Sequence, residues 1–404
     1  MAQAVAPRTD GCDGPAAAPD PAAPPSPEPS RLAGWRYPLA VALLSRVLSL
    51  VVVGVVGWFA REPGAPASDA LLGPLAAWDG QWYARIAEYG YDPTLAHGNA
   101  AAFFPLYPSL VGAAHEVVPF VSVAVVGIVL SNAIFVAAVL LLWRLTADRF
   151  GEATANRVTW YVALAPVAFV FSAFYTESLF LLLVVLTFLL LERRRPGLAC
   201  GVAALAVLTR PVGIALLPAM AWWIWEANGR RVDRVLARRL APLLLLPVAY
   251  VGFQAYLWWQ TGLPGATELA QERGWGREVD PLLAVTLPFA ALQGIWQGLT
   301  GPRDLQELLD AVVASAAIWL LIHAAWRRLL PTAYLLAGAG ALLLPALAGT
   351  YLAYPRYAMT VFVLAWLLAL HATRRRVDYA IRAGSAVAMV ALVVLTYGPG
   401  TYTP

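Results

Sequence analysis

The chain has 404 residues, 60% of them hydrophobic and 13% charged, with a mean hydropathy of +0.66, values that exclude an ordinary soluble domain. Its net charge of +4 comes wholly from arginine rather than lysine, and the arginines cluster beside apolar runs, which reads as membrane topology and not as a nucleic-acid surface. Two cysteines, Cys12 in the tail and Cys200 in an apolar run, make neither a disulfide framework nor a metal site by themselves.

Residues 1–30 are rich in Pro and Ala and poor in aliphatic side chains, which predicts a disordered cytoplasmic tail and leaves 31–404 as one transmembrane domain. The first apolar run, 38–59, follows Arg31 and Arg36 and is too long for a signal-peptide core, so it reads as an uncleaved span with its N-terminus in the cytoplasm. Arg46 lies inside this run and is expected to snorkel to the inner headgroups. A long polar loop follows, from about Ala60 to Phe103, dense in acids, aromatics and turn formers.

Arginine-rich short loops stay in the cytoplasm, so they thread the rest of the chain. The clusters are Arg144, Arg149 and Arg157; Arg193-Arg194-Arg195; Arg230-Arg231 with Arg234, Arg238 and Arg239; Arg327-Arg328; and Arg374-Arg375-Arg376. Spans are then predicted at 38–59, 121–143, 158–174, 177–192, 197–209, 211–226, 240–259, 304–326, 329–347, 356–372 and 379–397. The expected fold is an all-α polytopic bundle of about eleven crossings, N-terminus inside and C-terminus outside. The pair 197–209 and 211–226 is short for a full crossing and is split by Thr209-Arg210-Pro211, so a hairpin reaching part-way is expected.

This threading places four polar features on the outer side: the loop 60–103, the turn Phe174–Ser178, the loop 260–303, and the stretch Tyr351–Tyr357. No internal repeat, phosphate-binding glycine loop, nucleotide-binding strand–helix unit or heptad is present, and His97, His115, His323 and His371 are scattered. No cofactor or metal ligand set is predicted.

Asp79 stands between Trp78 and Trp82 near the membrane surface. Partial desolvation there suits a general base, while an Asp before an amphipathic segment is equally an N-cap. Glu88 and Asp92, in the same loop, could assist or bind a cation. Glu177 opens an apolar helix, where the dipole favours an acid. Arg210 and Arg356 run against the topology rule, so each either pairs with a carboxylate such as Glu177 or Asp79, or holds a substrate phosphate.

The stretches Trp78–Tyr83, Ile86–Tyr91, Phe103–Pro108, Ala173–Phe180, Leu208–Gly213 and Tyr354–Met359, in this order and at this approximate spacing, resemble the PIG-V-like family of GPI mannosyltransferase 2 and its bacterial relatives. The resemblance runs from about residue 38 to 372. It implies a GT-C class membrane glycosyltransferase whose first-loop acid, Asp79, is the catalytic base, with Trp78, Tyr83, Glu177, Arg210 and Arg356 around a polyprenyl- or dolichyl-phosphate sugar, usually mannose. Such loops often carry a second acid where this chain has Gly80-Gln81, so a metal ion is not supported.

A lipid-linked donor also suits an outward-facing transferase, because nucleotide sugars are scarce outside the cytoplasmic membrane. The expected reaction is an inverting displacement at the outer face of the cell membrane onto a glycolipid, glycan or protein hydroxyl. The competing expectation is a transporter or flippase of lipid-linked glycans, a class that tends to show repeated halves and midplane charges.

Overall fold

In lipid every backbone polar group must be met within the protein, which drives apolar runs to form helices and penalises every interruption. The computed structural model describes residues 33–91, 99–276, 280–300, 305–347, 353–398 and 402–403. The Pro/Ala-rich tail, Asp92 and His97 lie outside the described residues. Helix α1 (Ala33–Ala60) is followed by the short α2 (Asp69–Leu75) and α3 (Asp79–Tyr89), then by α4 (Leu106–Val117), α5 (Val123–Phe150) and α6 (Glu152–Ala163). Next come α7 (Glu177–Glu192), α8 (Pro196–Thr209), α9 (Leu216–Ala227), α10 (Arg234–Leu240) and α11 (Leu245–Thr261). The last third holds α12 (Ala266–Trp275), α13 (Pro281–Thr300), α14 (Leu305–Trp326), α15 (Thr332–Leu347), α16 (Tyr354–Thr360), α17 (Phe362–His371) and α18 (Arg375–Tyr397). No strand occurs among the described residues; the fold is all-α.

Helix α1 turns polar side chains inward and apolar ones outward. On α1, Ser45, Arg46 and Ser49 are buried while Leu43, Leu44, Val47, Val51 and Val55 are exposed, the arrangement expected when the solvent is hydrocarbon. Five helical stretches are long and apolar enough to cross a membrane: Gly34–Ala60, Val123–Phe150, Arg234–Thr261, Leu305–Trp326 and Arg375–Tyr397. The remaining runs threaded from the arginines contain shorter or interrupted helices, so eleven full crossings are not established.

Helices α7, α9, α14 and the α16–α17 pair each begin near one end of the bundle and run toward arginines: Arg193–Arg195, Arg230-Arg231, Arg327-Arg328 and Arg374–Arg376 respectively. At that arginine-rich end Arg149 pairs with Glu192 at 3.0 Å, and the Tyr334 hydroxyl donates to the same carboxylate at 2.7 Å. The opposite end gathers the turns that carry the acids and aromatics.

Four expectations need correction. The run 158–174 is not one helix: α6 stops at Ala163 and a 3₁₀ turn occupies Ala168–Ser172, because Pro166 lacks an N–H and biases Ala165 away from helix. Arg46 does not snorkel; at 3% exposure it is turned inward onto that break. The loop 260–303 is largely helix, since α12 and the twenty-residue α13 fill its described part. Gln293 and Gln297 dilute the apolar pattern of α13, which hid it from a hydropathy reading. The 356–372 run is also divided, with Val361 between α16 and α17; no proline or glycine accounts for that break.

The expected short pair is α8 and α9, joined by a 3₁₀ turn at Pro211–Ala215. Gly213 is needed there: a Cβ would stand 2.6 Å from the carbonyl carbon of Ala206, closer than atoms of a folded backbone approach.

Candidate active site

A cavity of about 650 Å³ opens at the end of the bundle away from the arginine clusters. Its lining draws on three of the four polar features read from the sequence: Trp78, Asp79, Trp82 and Tyr83 from the first loop, Gln271 and Trp275 from α12, and Ala353, Arg356 and Tyr357 at the start of α16; the α8–α9 turn adds Thr209–Val212. The Phe174–Glu177 turn lies directly behind this wall.

The backbone brings Asp79 there by a strained route. Trp78 adopts φ +50, a conformation that costs a residue with a Cβ about 1–3 kcal/mol and persists only where its surroundings enforce it. Three contacts do so: the Phe174 amide donates to the Leu75 carbonyl at 2.8 Å, the Tyr175 hydroxyl donates to the Ala77 carbonyl at 3.2 Å, and the Trp78 ring packs 5.5 Å from that of Tyr397. Asp79 is the first residue of α3, one place past the cap position, which Trp78 occupies. Its carboxylate instead receives Nη2 of Arg356 at 2.6 Å.

Glu177, fully buried, takes two guanidiniums at once: its Oε1 accepts from Nε of Arg356 and from Nη1 of Arg210. Arg210 also donates to Oγ1 of Thr176 at 3.2 Å. Each arginine lies over an aromatic ring, Arg356 4.5 Å from the centre of Tyr175 and Arg210 5.2 Å from that of Tyr357. Such pairing and hydrogen bonding offset the cost of burying these charges. Both arginines pair with Glu177 and both line the cavity, so carboxylate pairing still leaves them at its wall. Glu177 is not among the lining residues; it stands behind the arginines and spaces them.

Tyr83 is buried and its hydroxyl sits 3.4 Å from Oγ1 of Thr176. Burial first, and the Asp79 charge second, push its pKa up, so it stays a neutral hydroxyl. Trp82 stacks on Phe103 at 6.1 Å, and Phe103 meets Trp275 edge-on at 5.7 Å, forming an aromatic wall beside the amides of Asn99 and Gln271. Glu88 is exposed and lies off the cavity. Among the described residues no group of three or more His, Cys, Asp or Glu could hold a metal ion.

Several residues of this end escaped the sequence reading. Trp275 and Gln271 lie in the stretch 260–303, whose sequence pattern reads as loop and which folds as helix there. Asp310 sat inside an apolar span; it is fully buried, and its Oδ2 accepts the Ala353 amide at 2.9 Å. Ala353 has φ +60 and starts the helix that bears Arg356. An acid within a spanning run is itself a signal of function, and that signal was available.

Residues 65–288 match the family model described as Mannosyltransferase (PIG-V). The chain belongs to that family. Two curated relatives of this PIG-V family member are named GPI mannosyltransferase 2. The one from Drosophila melanogaster is 32% identical over 123 residues, covering 27% of this chain and 25% of the relative. The one from Cryptococcus neoformans is 31% identical over 187 residues, 43% of each chain. The chain therefore spans less than half the length of the curated relatives it matches. Crystal structures of the Archaeoglobus fulgidus oligosaccharyltransferase overlap it partially. The complex with zinc and sulfate has a TM-score of 0.43 at 16% identity, over 90% of this chain and 52% of that one. The form tethered to an acceptor peptide has a TM-score of 0.39 at 15% identity, over 88% and 55%.

Proposed function

We propose that the chain transfers mannose from a polyprenyl-phosphate-linked donor to an acceptor hydroxyl, inverting the anomeric carbon. The observation that carries this reading is that Asp79, Arg210 and Arg356 line one cavity, with Arg356 held between Asp79 and the buried Glu177. Membership of the PIG-V family supports mannose as the sugar.

As the acceptor oxygen attacks C1, Asp79 takes its proton, the bond from C1 to the phosphate oxygen breaks, and the electron pair leaves with the polyprenyl phosphate. General-base assistance of this kind contributes about 10²–10⁴-fold. Negative charge grows on the departing phosphate, and guanidiniums already fixed in the wall stabilise it without reorganising. Arg356 and Asp79 are in contact at 2.6 Å, so a donor phosphate drawing on the same guanidinium loosens that pair and frees the base once the donor is in place. Trp78 and Tyr83 shape the pocket around the sugar, and the aromatic wall with its amides receives the acceptor, a glycolipid, glycan or protein.

The cavity end is assigned to the extracytoplasmic face of the cell membrane, because the opposite end carries the arginine clusters and positive loops stay inside. The test is transfer of radiolabelled mannose from polyprenyl-phosphate mannose in membranes containing the wild-type chain or Asp79→Asn, with the product identified. Transfer that requires Asp79 supports the reading. Equal label incorporation in both, or transport of lipid-linked glycan without transfer, overturns it.

A further inference from the structure

Arg46 is a buried cation that the proposed reaction does not use. It is 3% exposed near the middle of α1, and no carboxylate pairs with it among the described residues. Its Nη1 donates to the Ala168 carbonyl at 2.9 Å and to Oγ of Ser172 at 3.0 Å, and its Nη2 donates to the Ala163 carbonyl at 3.2 Å. The Phe135 ring lies 4.0 Å away, under the guanidinium.

These partners share one property. Ala163 is the last residue of α6, and Ala168 and Ser172 bound the 3₁₀ turn that follows the Pro166 break. The Ala163 carbonyl, at the end of α6, has lost its helical partner at a depth where water cannot replace it. A planar guanidinium presents five donors in a fixed fork, so one arginine can hold several carbonyls together where an ammonium would hold fewer in defined directions. Ser172 extends the tie, because its hydroxyl donates to Oδ1 of Asn132 at 2.9 Å and Asn132 donates to the Ile128 carbonyl of α5 at 2.7 Å.

The segment so held leads straight into the site. After Ser172 come Phe174, whose amide fixes the loop before Asp79, Tyr175 under Arg356, and Glu177 between the arginines. We infer that Arg46 is a positioning residue: it ties the end of α6, at the Ala163 carbonyl, to the interrupted segment 164–176 through the Ala168 carbonyl and the Ser172 hydroxyl, and so sets where Glu177 presents Arg210 and Arg356 to the cavity. The catalytic consequence rests on the transferase reading above; the positional one does not.

The experiment uses the full chain with Cys12→Ser and Ala173→Cys, Ala173 being 1% exposed beside Ser172. Two things are measured in the Arg46 and Arg46→Lys backgrounds: reaction of the cysteines with a small water-soluble thiol reagent, and mannose transfer. The fully buried Cys200 on α8 reports the rest of the bundle. In Arg46→Lys the cysteine at 173 should react severalfold faster while Cys200 stays protected. Transfer should fall by about 10²-fold, the loss that an ångström-scale misplacement of catalytic groups produces. Ser172→Ala, which removes one arm of the tie and leaves Arg46 intact, should give the same pattern in weaker form and serves if Arg46→Lys does not accumulate. Protection at 173 and normal transfer in both variants overturn the inference. So does simultaneous exposure of 173 and Cys200, which would make Arg46 a support of the whole bundle. If the wild-type chain itself transfers no mannose, the proposed reaction fails, and labelling at 173 still decides whether Arg46 holds the segment.

Discussion

Arg356 contacts Asp79 at 2.6 Å with one nitrogen and Glu177 with another, so a single guanidinium joins an acid in the cavity wall to an acid buried behind it. The side chains are exposed by 9%, 21% and 0% respectively, and this gradient separates their expected roles.

Asp79→Asn keeps the shape and removes the basicity. Because Glu177 continues to hold Arg356, folding and donor binding should persist while kcat falls by at least about 10²-fold. Thermal unfolding in detergent and single-turnover transfer check the two halves. Near-normal turnover in purified Asp79→Asn would remove the proposed base.

Glu177→Gln leaves two neighbouring guanidiniums without their shared acid. Removing one member of a buried pair costs about 3–5 kcal/mol, so a clear drop in unfolding temperature is expected together with lost transfer. Glu177→Asp, one methylene shorter, should fall between the two. An unchanged melting temperature in Glu177→Gln would contradict the spacing role and return Glu177 to direct substrate contact.

Arg210 and Arg356 both pair with Glu177, and both reach the cavity. If they hold the donor phosphate, Arg→Lys keeps charge but loses the fork and should weaken transfer, while Arg→Gln should nearly abolish it. Adding Glu177→Gln to either Arg→Gln variant should rescue nothing. Substantial recovery in a double variant would make that arginine a neutraliser of Glu177 alone.

Sidedness is checked with single cysteines in a chain lacking Cys12 and Cys200. Positions 76 and 353, at the cavity end, should react with an impermeant thiol reagent in intact cells, and position 237, in the arginine-rich α10, should not. The opposite pattern would bring a nucleotide-sugar donor back.

Gly127 lies where α5 meets the Phe174 ring, and a Cβ there would stand 2.6 Å from that ring. Gly127→Ala should therefore cost about 1–3 kcal/mol by overpacking and lower transfer, since the Phe174 amide is the tie to the loop before Asp79. Wild-type stability and rate together would show that Phe174 shifts without consequence.

Composition and local pattern were enough to determine the membrane class, the all-α fold, the family motifs and the two ends of the bundle. Apolar length, arginine clustering and an acid between tryptophans are properties of short stretches that act in any packing. Pro166 likewise marks in the sequence the break that follows α6. Tertiary structure alone decided that Glu177 stands behind the wall, that Arg356 bridges it to Asp79, that Asp310 supports the start of α16, and that Arg46 turns inward onto the broken segment. Each of these is a contact between helices distant in sequence. Which carbonyl or carboxylate meets a buried guanidinium depends on how the helices pack, because in lipid the only available partners are those that packing brings within reach.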